Sequence, residues 1–103
     1  MRIRIQGRNR RVARDELRYA VQWMCQQLMP PEVVEDLRIT LVSCRLPDDN
    51  AWMTPTEYTP SLRSFKVVLD SSNARHRQLR YLAHELCHVK QYAMREMRDR
   101  WVP

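Results

Sequence analysis

The chain has 103 residues, 44% of them hydrophobic, and a net charge of +6. That length bounds it to one domain with one modest core, and the apolar share excludes a disordered chain. No apolar run approaches the roughly 20 residues that cross a bilayer, and the charged opening MRIRIQGRNRR is unlike a secretory leader, so a cytoplasmic protein with no membrane partner is expected.

MRIRI alternates and predicts a short first strand. Six arginines fall within the first fourteen residues. Such an arm suits phosphate neutralisation. No aromatic residues interleave with it, so a solvated basic terminus is favoured over nucleic-acid binding. Leu17, Ala20, Val21, Met24 and Leu28 recur at helical spacing, which predicts a helix over residues 12–28, ended by Pro30-Pro31. LRITLVSCRL, residues 37–46, is β-branched and alternating, and predicts a strand. PDDN is a turn. AWMTPTEY reads as a further strand, which Pro55 confines to an edge. SFKVVLD, residues 64–70, sets Phe65, Val67 and Leu69 on one strand face. Ser71, Ser72 and Asn73 are candidate N-caps. From there to about Arg98 no glycine or proline interrupts a single long helix. The order predicts one α+β domain, a small mixed β-sheet packed on two helices, with the helices on one face.

The cysteines Cys25, Cys44 and Cys87 are scattered and lack C-x-x-C spacing. They are expected to be reduced thiols in apolar surroundings, not a disulfide framework or a cysteine zinc site.

The last helix carries HELCH, residues 84–88. Leu79, Leu82, Leu86, Val89, Ala93 and Met97 form its apolar stripe, expected to pack on the first helix, and His84, His88 and Gln91 project almost opposite. Two imidazoles at i and i+4 stand one turn apart on the same face, close enough to share one metal ion. Glu85 is directed to one side, where a carboxylate can reach a metal-activated water without ligating the metal. His84 and His88 are thus the candidate zinc ligands. Glu85 is the candidate catalytic base, taking the water's proton and passing it to a leaving amine.

LAHELCHVKQYA resembles the active-site helix of zincin metallopeptidases, above all small phage and bacterial proteins whose helix reads H-E-L-x-H-x-x-Q-Y. The element order resembles the minimal gluzincin core, the minigluzincins. The resemblance covers most of the chain in element order but is sequence-specific only from about Leu82 to Ala93. It implies a Zn2+-dependent metallopeptidase acting on a peptide or protein substrate. NAWM, residues 50–53, is similar to the Asn-Ala-aromatic edge-strand stretch of thermolysin-like enzymes. This likeness implies that Asn50, Ala51 and Trp52 bind substrate by strand addition; the plain alternative is a turn leading into an edge strand.

The sequence departs from the family in its third ligand. Gluzincins take it from a Glu on a following helix. Glu96 lies eight residues past His88, on the order of 12 Å along a helix. His76 is equally distant on the other side, Asp70 serves only if its loop folds over the site, and Cys87 points away from His88. The ligand is expected from a continuation of the chain, from a partner chain, or not at all. The alternative functions are a SprT-like protease acting on DNA-associated proteins, and a degenerate zincin-like binding module without activity.

Overall fold

The computed structural model describes residues 1–48, 50–57 and 61–95. Along the chain run β1 (Arg2–Gly7), α1 (Arg14–Leu28), α2 (Pro31–Asp36), β2 (Arg38–Cys44), β3 (Ala51–Pro55), β4 (Ser64–Asp70) and α3 (Arg75–Ala93). The strands form one mixed sheet in the order β1-β2-β4-β3. β1, β2 and β4 are parallel, and β3 runs antiparallel to β4. This is an α+β fold of the expected class, with a long final helix.

Strand alternation builds the core face. Ile3, Ile39 and Phe65 stand side by side, as do Ile5, Leu41 and Val67 in the next row. Leu17, Val21 and Cys25 from α1 and Leu82, Leu86, Val89 and Ala93 from α3 join that face in one buried cluster. Arg2, Arg4, Arg38, Thr40, Lys66 and Trp52 fall on the opposite face. Gly7 closes β1 with φ +86°, and a Cβ there would overlap the Ser43 carbonyl oxygen, so only glycine fits. Arg14 and Arg18 of α1 donate to the Ile5 and Ile3 carbonyls, at 3.0 and 2.8 Å, and so satisfy two acceptors on the free edge of β1.

The structure differs from the sequence reading in several places. α1 begins at Arg14, not at residue 12, because the Asn9 side-chain carbonyl accepts from the Arg11 and Val12 N–H groups and holds them in a turn. Pro30-Pro31 ends α1 but also starts a third helix. Pro31 occupies the first turn of α2, where a missing N–H is harmless, and Val33 and Val34 are buried. The N-cap of α3 is Ala74, not Ser71, Ser72 or Asn73. The Ser72 hydroxyl is engaged elsewhere, donating to the Asp70 carboxylate at 2.6 Å. The buried stripe of α3 is Gln78, Leu82, Glu85, Leu86, Val89 and Ala93, which brings Glu85 inside the margin. That stripe meets β3 and β4 as well as α1. Of the cysteines only Cys25 is buried; Cys44, at the end of β2, and Cys87, beside the stripe of α3, are exposed. Burial pushes the Cys25 thiol up to about 12. Tyr58, at the end of the AWMTPTEY stretch, and Glu96, Met97 and Arg98 lie outside the described residues. No described helix is long and apolar enough to cross a membrane.

Candidate metal centre

α3 sets His84 and His88 one turn apart on a helix anchored at both ends. At its start Arg75 pairs with Glu16 of α1. At its end Arg63 donates to the Ala93 carbonyl at 2.8 Å, satisfying an acceptor the helix leaves open.

The two Nε2 atoms face each other at 3.1 Å, with the rings nearly perpendicular at 87°. A tetrahedral zinc with ordinary Zn–N bonds separates two nitrogens by about 3.3 Å, so the pair fits one ion with little adjustment. The Nδ1 of His88 lies 3.2 Å from the Gln91 side-chain oxygen. With that oxygen as acceptor, Nδ1 carries the proton and the Nε2 lone pair is left free for a metal. Gln91 is three residues past His88, a spacing that puts the two on one helix face; the sequence reading placed it there but gave it no role.

Glu85 completes the group. The candidate donor atoms of His84, Glu85 and His88 all lie within 4.8 Å of one another. Glu85 is 9% exposed, whereas His84 is open to solvent. No hydrogen bond or ion pair engages Glu85 among the described residues. A nearly buried carboxylate without a partner is unfavourable for the fold alone.

The other candidates fall elsewhere. Among the described residues Asp70, His76 and Cys87 do not join the group. Asp70 is committed to its own loop, where one carboxylate oxygen accepts from the Ser72 hydroxyl, the Ser72 N–H and the Leu46 N–H. Burial pushes its acidity toward higher pH, but these donors and the charge of Arg45 outweigh it and hold the carboxyl below the usual range. Asn50 is also engaged. Its carbonyl accepts from the Asp70 N–H and its side-chain oxygen from Asn73, both at 3.0 Å, which ties the approach of β3 to the loop before α3. Ala51 and Trp52 lie on β3, which pairs only with β4 among the described strands and so is an edge. Ala51 is on the core side and the Trp52 ring on the far side, 5.7 Å from the Lys66 ammonium.

Gln78 was the clearest omission from the sequence reading. It is 1% exposed and bonds Asn9 at 2.6 Å and the Asn73 carbonyl at 2.9 Å, joining the start of α3 to the β1–α1 connection. Its partner Asn9 is 69 residues away, so no local pattern signals it. No family model, curated protein or solved structure matches the chain.

Proposed function

We propose that the protein is a zinc-dependent metallopeptidase or the catalytic core of one. The observation that carries this reading is the pair of facing Nε2 atoms, 3.1 Å apart, beside a nearly buried glutamate that has no partner among the described residues. His84 and His88 hold the ion through Nε2, and Gln91 fixes the tautomer of His88. Bound zinc supplies Lewis acidity, bringing the pKa of water toward about 7 and polarising a carbonyl. Glu85 receives a proton from the attacking water at its carboxylate and delivers it to the leaving amine. The free edge of β3, which carries Ala51 and Trp52 and whose approach Asn50 holds in place, takes an extended peptide through backbone hydrogen bonds.

A second reading, a zinc-binding module without activity, is favoured by one feature. Among the described residues the group gathers no donor beyond His84, Glu85 and His88. Metal analysis and a peptide-library assay separate the two. Wild-type protein is expected to carry zinc, and the His84→Ala/His88→Ala double variant to lose it. Glu85→Gln is expected to keep zinc while hydrolysis falls about 100- to 10,000-fold. Zinc without any hydrolysis would leave the module. An unchanged rate in Glu85→Gln would remove Glu85 from the chemistry.

A further inference from the structure

The sheet face turned away from α1 and α3 carries a separate set of groups. Arg2 and Arg38 are direct cross-strand neighbours on it, and Arg4, Thr40 and Lys66 form the next row. Like charges side by side destabilise a sheet. Of the four cations only Arg38 has an acidic partner among the described residues, Glu57 at 3.2 Å. That pair is about half exposed at both ends and contributes little. A hollow of about 180 Å³ lies between Arg2, Arg4, Arg38, Thr40, Thr56 and Ser64. Guanidinium and hydroxyl donors around a small hollow are the groups that hold phosphate oxygens.

An aromatic ring completes the face. Trp52 is 38% exposed on the edge strand, next to Val68, with the Lys66 ammonium 5.7 Å from its ring centre. The basic arm at the start of the chain has no aromatic neighbour in sequence. The strand order β1-β2-β4-β3 brings one onto the same face, three strand spacings or roughly 14 Å from β1.

We propose that this face binds single-stranded nucleic acid, with Arg2, Arg4, Arg38 and Lys66 on the phosphates and Trp52 stacked on a base. The cations supply the charge complementarity, and an exposed tryptophan on the same face, beside Lys66, needs a free base plane, which a duplex does not offer. The face lies across the sheet from α3, so the proposal does not rest on the metal reading.

The test is fluorescence anisotropy of labelled oligothymidylate and oligouridylate of about 12 nucleotides, titrated over a range of salt. Four phosphate contacts predict a log–log salt slope of about −3. Arg4→Gln/Lys66→Gln should reduce that slope by about 1.4. Arg77→Gln/Arg80→Gln, which removes the same charge from α3, should leave it unchanged. Trp52→Ala should weaken binding about five- to hundred-fold, and Trp52→Phe should keep most of it. Circular dichroism and melting curves report whether each variant is folded. Absence of saturable binding by the wild type at low salt would overturn the proposal. So would equal slope losses in the sheet and α3 variants, or wild-type affinity in folded Trp52→Ala. Binding to phosphatidylserine vesicles but not to oligonucleotides would replace it with a membrane surface.

Discussion

Among the described residues Gln91 has one hydrogen-bond partner, Nδ1 of His88, and with the Gln91 oxygen as acceptor that bond leaves Nε2 of His88 bare. Leucine at this position keeps the size and removes the acceptor, so the ring can turn and change tautomer. Zinc affinity of Gln91→Leu is expected to fall about 10- to 100-fold, read by competition with a chromogenic chelator. Gln91→Glu keeps an acceptor and should stay near wild type. Equal affinities for wild type and Gln91→Leu would mean that the contact does not orient the ring. Asp70 has a different task, holding the β4–α3 connection through Ser72 and Leu46. Its carboxyl titrates below the usual range in the fold. Its contribution is therefore present above the unfolded value of about 3.9 and is lost as the pH falls through the lower folded value. Denaturant melts at successive pH values should show wild type losing more stability than Asp70→Asn below about pH 4. Parallel pH profiles for the two would mean that the carboxylate is not linked to folding.

The elements were legible where the signal is local. SFKVVLD sets Phe65, Val67 and Leu69 on one face and forms β4 over Ser64–Asp70. Pro55 marks β3 as an edge, and β3 is one. The i, i+4 histidines needed only a continuous helix to stand together. What was missed depends on distant partners or on one residue serving two elements. Pro31 reads as a stop for α1, but the burial of Val33 and Val34 makes it a start for α2. Serines ahead of a helix read as caps, but the carboxylate of Asp70 draws Ser72 away. Gln78 sits inside an apolar stripe because Asn9 meets it there. The edge strand yields its own prediction. If β3 receives substrate, a bound peptide inhibitor should run antiparallel to residues 51–54, with backbone hydrogen bonds to the edge that β4 does not use. In amide exchange, the inward N–H groups already bonded to β4 should change little, and those on the free edge should become protected. Protection confined to other strands would remove β3 from substrate binding.

Across the sheet two kinds of chemistry are divided, with the histidine pair on the helical side and the cations Arg2, Arg4, Arg38 and Lys66 on the other. If the histidine pair holds zinc, as proposed, the number of protein ligands decides how strongly that site is coupled to folding. An ion that binds the native chain and not the unfolded one stabilises it by about 2.7 kcal/mol at a hundred times its dissociation constant. For a domain of this size that raises the melting midpoint by roughly 10–20 °C. Two histidines on one turn leave at least half of a tetrahedral shell to water. Saturating stabilisation is then expected only at high free zinc, and a mild chelator should reverse it. The midpoint of the wild type should climb steadily with zinc, and that of His84→Ala/His88→Ala should stay flat. An equal climb in the double variant would place the ion elsewhere, with the exposed thiols Cys44 and Cys87 the first alternatives to test. A wild-type midpoint that saturates at trace zinc and resists chelator would mean that a third protein ligand is present. Alanine at Glu96 would then be the next substitution to make, because Asp70 is already committed to Ser72 and Leu46.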